Sequence, residues 1–336
     1  MKKIYVGIDV GSVSVNVVAV DERNRIIFKT YDRTNGQPLE IIRRGLNNLY
    51  RFIDGEYEVA GIGTTGSGRE LAGTIVGADV IKNEITSHAV ATMDEVPDVR
   101  TIFEIGGQDS KIILIKDQMV VDFAMNTVCA AGTGSFLDHQ AERLNIPIEV
   151  FGDLALQSDN EVRIAGRCTV FAESDMIAKQ QYGFSKPDII NGLCIALVRN
   201  YLNNLGRSKR LEPPFVFQGG VAANKGIVAA FEKEMRHEII VLPDFNVMGA
   251  KGIAIIAKEY LHTKGIKTRF KGFDSLELTF KPSSFICHDC SNNCEVVMIK
   301  TEKEIIAIWG DKCGKWKNQK DRLLEDMRNK DKNKVY

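Results

Sequence analysis

The chain has 336 residues, of which 44% are hydrophobic, so it is long enough for two domains or one large split core with an appendage. Its 44 Lys and Arg residues balance 44 Asp and Glu residues, which argues against nucleic acid as a main partner, because such binding relies on an excess of basic residues. The sequence contains no run of about 18 consecutive apolar residues that could form a membrane-spanning helix, and its first residues lack a signal-peptide pattern. We therefore expect a cytoplasmic protein with no membrane partner.

The first part of the chain is predicted to be rich in strands joined by short turns. Apolar residues at helical spacing predict one helix there, over 38–52. The strands are predicted over 3–9, 14–21, 25–31, 59–64, 101–105, 111–115 and 119–123.

The second part of the chain is predicted to be mainly helical, with two further strands. Helices are predicted over about 133–145, 169–182, 187–207, 223–236 and 247–262, and strands over 215–218 and 239–242. Because strands, glycine turns and helices recur in both parts, the chain is predicted to form a split α/β core with a nucleotide in its cleft.

Three glycine turns directly follow predicted strands, and each carries polar groups suited to a phosphate or a magnesium ion. Glycine lets the backbone approach a phosphate closely, and successive N–H groups form an anion-binding nest. An acidic side chain at a strand end can hold Mg²⁺ directly or through water. The third turn opens a helix and could approach adenosine. The turn residues are Asp9, Gly11, Ser12 and Val13; then Glu104, Gly106, Gly107, Gln108 and Asp109; then Gly219, Gly220 and Asn224.

In this order the turns resemble the phosphate-1, phosphate-2 and adenosine motifs of the fold shared by actin, heat-shock chaperones and sugar kinases. The resemblance implies two ribonuclease-H-like subdomains, about 1–125 and about 126–262, with ATP or ADP and Mg²⁺ between them. Residues 249–252 resemble the second connecting helix of that fold. Where such proteins often carry a lysine after the first phosphate turn, this chain has Asn16. The residues expected to act in catalysis are Asp9, Glu104, Gln108 and Asp109.

Two cysteines, Cys129 and Cys168, lie in glycine-containing segments of this predicted core. Cysteines in a cytoplasmic chain favour metal or redox roles over structural disulfides. Two thiolates cannot complete the four-cysteine shell of a [4Fe–4S] cluster, but two copies of the chain related by a two-fold axis can. Cys194, on an apolar helix face, is instead predicted to be a small buried hydrophobic residue.

Four segments of the chain, over 7–12, 104–109, 126–136 and 166–174, contain the glycine turns and the two cysteines described above. Taken together, these segments closely resemble the activator ATPases of 2-hydroxyacyl-CoA dehydratases. That family belongs with the ATPase components of benzoyl-CoA reductases, and the resemblance covers about residues 1–262.

This resemblance implies a homodimer with one [4Fe–4S] cluster between the subunits, and Cys129 and Cys168 match its ligand positions. Gly132 and Gly134 would lie at the start of a helix whose N-terminus points at the cluster. A helix N-terminus favours negative charge, which the cluster carries. ATP binding would change the angle between the two such helices and open the cluster toward a partner. The partner would be a dehydratase or a double-cubane-type reductase, and a ferredoxin or flavodoxin would supply the electrons.

Residues 263–336 are predicted to form a separate, small cysteine-rich module after the ATPase core of residues 1–262. Short strands are expected over 264–286. Four thiolates satisfy a structural zinc ion or an iron–sulfur cluster, and their spacing alone does not choose between the two. The candidate ligands are Cys287, Cys290, Cys294 and Cys313.

Two other function classes fit the same fold. A small-molecule kinase would need a carboxylate aimed at a substrate hydroxyl, for which Asp109 and Asp175 are the candidates. A regulatory or chaperone-like nucleotide switch would hydrolyse ATP slowly and carry no iron. The kinase alternative leaves the paired cysteines unexplained.

Overall fold

Two five-stranded mixed sheets with the same topology form the body of the protein. The structure is a computed structural model that describes residues 1–126, 129–166, 168–273, 281–300 and 305–318. The repeated topology confirms the predicted α/β fold of two similar subdomains.

The first sheet begins as an antiparallel meander, to which two parallel strands are added on the other side of its first strand. Its apolar side chains pack against two helices. Its elements are β1 (Lys2–Val10), β2 (Ser14–Val20), β3 (Ile26–Arg33), α1 (Pro38–Ile53), β4 (Tyr57–Thr65), α2 (Arg69–Val76) and β5 (Val80–Ile81), with the strands in the order β3-β2-β1-β4-β5.

The second sheet repeats this plan, with a meander followed by two parallel strands. It contains β6 (Thr101–Ile105), β7 (Ser110–Lys116), β8 (Met119–Asn126), β9 (Phe215–Gln218) and β10 (Ile239–Val241), in the order β10-β9-β6-β7-β8.

Helices inserted between β8 and β9 build a second core on the outer face of this sheet. One of them, α7, is buried almost all round, as expected for a helix without a polar face. In the described ranges no helix is both long and apolar enough to cross a bilayer. The helices are α4 (Gly134–Leu144), α5 (Ile148–Ala155), α6 (Thr169–Gln181) and α7 (Lys186–Tyr201), and α8 (Lys225–Met235) joins β9 to β10.

Two helices cross between the sheets, α3 (Glu84–Glu95) and α9 (Met248–Lys264). They meet at Gly252, where a Cβ atom would lie 1.7 Å from the Ser87 carbonyl oxygen. The close approach of α3 and α9 therefore depends on a residue without a side chain at position 252. Near the crossing, the Nζ atom of buried Lys251 lies 2.9 Å from Asp94 Oδ2.

Replacing Gly252 by alanine should destabilise the protein by about 3 kcal/mol or more, because the new methyl group collides with rigid backbone. The matched control is Gly265→Ala at the end of the same helix. There φ is +63° and no atom lies within 4 Å of the added Cβ, so only the left-handed backbone opposes the change, at about 1–2 kcal/mol. Urea unfolding of both variants measures the difference, and equal losses would contradict this account.

Three helices were not predicted from the sequence: α2, α3 and α5. The helix predicted over 187–207 ends at Tyr201 and continues as a π-helical turn over Leu202–Gly206. The α3 helix lacks a clear apolar stripe because polar Ser87, His88 and Thr92 are buried on it between the two sheets. Its periodicity is therefore weak in sequence.

The segment after α9 is attached to the first subdomain. The Asp79 carboxylate accepts hydrogen bonds from the Arg269 backbone N–H and the Thr268 hydroxyl, both at 2.7 Å. Residues 265–273 are not strands, and the remainder of the expected strand region up to 280 lies outside the described residues. A three-stranded antiparallel sheet then follows: β11 (Lys281–Ile286), β12 (Glu295–Lys300) and β13 (Ile305–Trp309), with the short helix α10 (Lys315–Asn318) after it.

Candidate nucleotide site and cysteine loops

All three glycine turns meet in the cleft between the two sheets, where they line one small polar cavity of about 80 Å³. The first turn is closed by the Gly11 N–H, which donates to the Ser14 carbonyl at 2.9 Å. The second is closed by the Gly106 N–H, which donates to the Asp109 carbonyl at 3.0 Å. The predicted residues that line this cavity are Asp9, Gly11, Ser12, Val13, Glu104, Gly106, Gly107, Gln108, Asp109, Gly219 and Gly220.

The third turn approaches the second so closely that it needs glycine. Gly219 has φ of +89°, and a Cβ atom there would lie 2.4 Å from the Ile105 carbonyl oxygen and 2.6 Å from Glu104 Oε1. Close packing of these turns brings the ends of β6 and β9 to the same wall of the cavity.

A buried lysine that the sequence analysis did not single out lies at the centre of the cavity. The Nζ atom of Lys111 lies 2.7 Å from Glu104 Oε2, 2.9 Å from Asp109 Oδ1 and 3.3 Å from Glu84 Oε2. Burial raises the pKa of Glu104 to about 7 although Lys111 opposes the shift. The surrounding carboxylates outweigh desolvation and raise the pKa of Lys111, so its ammonium remains charged.

Lys111 also places a positive charge in the cavity although this chain has Asn16 where a lysine would be expected. Both side chains line the same cavity, so a cation is present although the expected lysine position holds an amide. The Asn16 Oδ1 atom is buried and lacks a hydrogen-bond partner among the described residues. Asn16 is the ladder partner of Asp9 across β1 and β2, so both side chains emerge on one face. Carboxylate and amide oxygens are ligands suited to Mg²⁺, and this pair fits such an ion.

Asp9 is enclosed by backbone on two sides. A Cβ atom on Gly249 would lie 2.2 Å from Asp9 Oδ2, and one on Gly66 would lie 2.5 Å from Asp9 Oδ1. Desolvation, assisted by the Glu84 carboxylate, raises the pKa of Asp9 to about 7. Below about pH 7 the uncharged acid is therefore favoured until a cation is bound.

Exchanging Asp9 for asparagine should stabilise the Mg²⁺-free, nucleotide-free protein, and the gain should grow from about pH 5 to pH 7.5. Because the pKa of Asp9 is raised in the folded state, the unfolded carboxyl ionises first, and folding free energy is lost as pH rises from 3.8 through about 7. A pKa that differs by one between the folded and unfolded states corresponds to about 1.4 kcal/mol. Denaturant unfolding in EDTA across this pH range provides the measurement. A gain independent of pH would contradict the assignment.

His88 forms the wall next to Asp9. Its Nδ1 atom lies 3.0 Å from Gln218 Nε2, and the Thr92 hydroxyl donates to Gln218 Oε1 at 3.0 Å. Burial, with the Lys111 ammonium nearby, lowers the pKa of His88 to about 4. A neutral imidazole thus lines the cavity without adding a charge.

A larger cavity of about 490 Å³ adjoins the polar one and shares with it Val13, Gly106, Gly107 and Gly220, so that each of the three turns contributes to both. Its walls come from α4, α5 and the turn before α8, including Leu137, Ile148 and Asn224. The apolar surfaces and the volume suit a planar base with a sugar. Gly134 also lines it, whereas Gly132 lies in neither cavity and packs against Asn200.

The Cys129 loop is held by Asn126 and leads directly into the wall of the cleft. The Asn126 side chain accepts from the Cys129 N–H at 2.9 Å and donates to the Cys129 carbonyl at 2.7 Å. A short 3₁₀ turn follows, and α4 begins at Gly134. There the Gly134 N–H donates to Gly106 at 2.9 Å and the Ser135 hydroxyl donates to Gly107 at 2.6 Å. The second glycine turn is therefore hydrogen-bonded to the helix that follows Cys129.

The Cys168 loop sits on the last turns of α7. The Asn200 amide donates to the Gly166 carbonyl, and a Cβ atom on Gly166 would lie 2.7 Å from the Ala196 carbonyl oxygen. The same Asn200 lies against Gly132 of the Cys129 loop, 3.1 Å from the position of a Cβ there. One buried side chain therefore contacts both cysteine loops.

The remaining predicted residues have other surroundings. Asp175 accepts a hydrogen bond from the Ala165 N–H at 2.8 Å and lines neither cavity. Cys194 is fully buried, as expected, and burial raises its pKa to about 12. All seven cysteines are free, and no three His, Cys, Asp or Glu side chains of the described residues are grouped closely enough to hold a metal.

Comparison with known proteins identifies the family to which this cleft belongs. The model of the BadF/BadG/BcrA/BcrD ATPase family matches residues 6–257. The chain belongs to this ATPase family. It is 34% identical over 269 residues to the activator of lactoyl-CoA dehydratase from Anaerotignum propionicum, covering 77% of this chain and 98% of that protein. It is 33% identical over 255 residues to the (R)-2-hydroxyglutaryl-CoA dehydratase activating ATPase from Acidaminococcus fermentans, covering 75% and 95%.

A solved structure of the same family shares the fold of this ATPase. The activator of the 2-hydroxyisocaproyl-CoA dehydratase from Clostridium difficile, with bound ADPNP, matches with a TM-score of 0.71 at 30% identity, over 79% of this chain and 98% of that one. These matches confirm the resemblance to dehydratase activators. The family match ends at residue 257, before the three-stranded sheet.

Sequence reasoning missed the polar residues that other elements bring into the cavity. Glu84 and His88 come from α3, which was not predicted, and Lys111 follows the phosphate-2 turn by two residues. A signal existed for Lys111, since a lysine inside an apolar strand is buried only when it is paired. No comparable local signal marked Glu84 or His88.

Proposed function

We propose that this ATPase is a reductive activator, a homodimer that uses ATP and Mg²⁺ to deliver single electrons to an iron–sulfur partner enzyme. The partner is a 2-hydroxyacyl-CoA dehydratase or a double-cubane-type reductase, and a ferredoxin or flavodoxin is the donor. The observation that carries the proposal is the direct hydrogen bonding between the phosphate-2 turn and the start of α4, five residues after Cys129.

Cys129 and Cys168 fit a shared [4Fe–4S] cluster by their position and exposure. Both are partly exposed, and each directly precedes a helical turn without an acidic residue. Helix N-termini favour negative charge, and thiolates are soft ligands suited to iron–sulfur clusters. When bound, the cluster would supply a low-potential one-electron carrier. One protomer offers two such thiols in these loops, so two protomers would supply four.

The surface beside Cys168 supports a protein contact at the same place. Val170 and Phe171, in the first turn of α6, expose 67% and 64% of their surfaces. Apolar side chains this exposed favour a partner that covers them. We assign this surface to the proposed homodimer or to the partner enzyme that approaches the cluster.

The residues of the cleft divide the nucleotide chemistry among them. Asp9 and Asn16 would hold Mg²⁺, and the glycine turns would bind the phosphates through backbone N–H groups. Glu104, Gln108 and Asp109 line the same cavity, where Gln108 can position water. Lys111 balances the carboxylates. The Gly106–Gly107 turn, which would hold the γ-phosphate, is hydrogen-bonded to the start of α4, so the state of this turn would be transmitted to the helix that follows Cys129.

A small-molecule kinase is less well supported by the two candidate carboxylates. Asp109 is paired with Lys111, and Asp175 is bonded to the loop before Cys168. Both carboxylates therefore already have partners within the protein, and no described contact directs either toward a substrate hydroxyl.

Anaerobic purification, followed by iron analysis and electron transfer to an added dehydratase, tests the proposal. We expect about four irons per dimer in the core and electron transfer only with ATP. Protein without core iron, or transfer at the same rate without nucleotide, would overturn it. A Ser135→Ala variant should bind ATP yet transfer electrons more slowly, because it loses one link between the phosphate-2 turn and α4.

Substituting Asn200 by alanine should weaken cluster retention without changing nucleotide affinity, since Asn200 contacts both cysteine loops and lines neither cavity. We expect iron release to a chelator to accelerate at least about tenfold, the size of effect seen when a supporting residue of a metal site is lost. Asn191→Ala, on the same helix but bonded to Ser158, is the matched control. Equal release rates in the two variants would show that Asn200 has no positioning role.

A further inference from the structure

The four cysteines of the carboxy-terminal sheet lie at one end of it. Because β11, β12 and β13 are successively antiparallel, the end of β11, the start of β12 and the end of β13 lie at the same end of the sheet. Cys287 follows β11, Cys290 lies in the turn, Cys294 precedes β12, and Cys313 follows β13. The topology therefore collects four thiols that are separated by up to 26 positions in sequence.

Two of these thiols are held directly opposite each other. The pairing of Ile286 with Glu295 continues by one step, because the Cys287 N–H donates to the Cys294 carbonyl at 2.8 Å. Opposed residues in an antiparallel ladder project to the same face, with Cβ atoms about 4.5–5.5 Å apart. Neighbouring sulfurs around a single tetrahedral zinc are about 3.8 Å apart, from Zn–S bonds of about 2.3 Å. The expected Cβ separation of Cys287 and Cys294 therefore allows both sulfurs to bind the same zinc ion.

The turn after β13 places Cys313 at the same end of the sheet. Gly310 has φ of +102°, and a Cβ atom there would lie 2.3 Å from the Glu295 carbonyl oxygen, next to Cys294. The Lys315 ammonium then bonds to Asp289, which also accepts a hydrogen bond from the Cys287 thiol at 3.2 Å. Asp289 therefore links the segment that follows Cys313 to the Cys287 side of the sheet.

The sheet has only a small hydrophobic core of its own among the described residues. Its buried core consists of Cys287, Val296, Ile305 and Ile308, with partly buried Phe285, Met298 and Trp316 around them. Folded units this small usually need a metal, disulfides or a partner surface. Cys290 and Cys313 are exposed and Cys294 is half-buried, so side-chain movement can bring them to Cys287.

We propose that Cys287, Cys290, Cys294 and Cys313 bind one structural zinc ion that holds the three-stranded sheet together. The four thiols deprotonate when the ion binds and release their protons to solvent, with no change in oxidation state. The site lies outside the family match and outside the electron-transfer path proposed above. It therefore stands or falls independently of the activator function.

Zinc and iron analysis of full-length variants tests this site. The double variant Cys129→Ser/Cys168→Ser, which lacks both core thiols, should retain one zinc per chain. Adding Cys290→Ser or Cys313→Ser to it should reduce zinc at least about tenfold, whereas adding Cys194→Ala should leave zinc unchanged. Iron in place of zinc, or zinc that survives the tail substitutions, would overturn the proposal.

Alkylation of the wild-type protein gives a second measurement that does not depend on variants folding. Without chelator, the four tail cysteines should react at least about tenfold more slowly than after zinc removal, since metal binding protects the thiolate. The buried Cys194 serves as an internal reference that should be slow in both states. Unchanged reactivity of Cys290 and Cys313, which are exposed, would exclude a metal at this end of the sheet.

Discussion

Replacing Lys111 by methionine should abolish ATP hydrolysis and destabilise the protein by about 3–5 kcal/mol. The ammonium is the shared partner of Glu84, Glu104 and Asp109, and its side chain is 1% exposed. Removing it leaves a buried carboxylate without a cation. The pKa of Glu104, already raised to about 7, should rise further, so the loss of stability should be larger at pH 8.5 than at pH 6.

Two further variants separate charge balance from a general packing defect. Lys251→Met removes another buried lysine, which pairs with Asp94 and Glu95 outside both cavities. It should cost stability but leave nucleotide affinity unchanged. The double variant Lys111→Met/Glu104→Gln should recover most of the lost stability and none of the hydrolysis. Equal instability of the single and double variants would contradict the role given to Lys111. Denaturant unfolding and a phosphate-release assay provide the measurements.

Loss of either core cysteine should remove the iron and leave the nucleotide cleft intact. Cys129→Ser and Cys168→Ser each take two of four thiolates from the proposed dimer, so core iron should fall from about four per dimer to near zero. Neither residue lines a cavity of the cleft, so ADP affinity should change less than about twofold. Iron analysis and ADP titration by calorimetry under anaerobic conditions measure both quantities.

The control for these variants is Cys194→Ala, at a cysteine that is fully buried in the core around α7. It should keep its iron and lose only about 1 kcal/mol of stability, by analogy with removal of a small buried group. If Cys129→Ser and Cys168→Ser kept the iron of the wild type, the shared cluster would have to be abandoned.

Local chemistry explains why the turns were predictable and part of the cavity was not. Gly11, Gly106 and Gly219 stand next to polar residues at strand ends, and such signals lie within a few residues of each other. Glu84 and His88 reach the same cavity from α3. Polar residues occupy buried positions of this helix, so the helical spacing of its apolar residues is weak in the sequence. Asn200 resembles any polar residue near a helix end until the fold places it between two loops.

The sequence by itself determined the repetition of strands and most of the helices, the positions of the glycine turns and which cysteines lie beside glycines, because each depends on residue types within a short stretch. Tertiary structure alone decided which charges meet. Lys111 pairs with Glu84 across 27 positions, and Asn200 contacts loops 34 and 68 positions before it. Contacts of this kind are set by how two sheets and their crossing helices pack, and apolar periodicity does not encode that arrangement residue by residue.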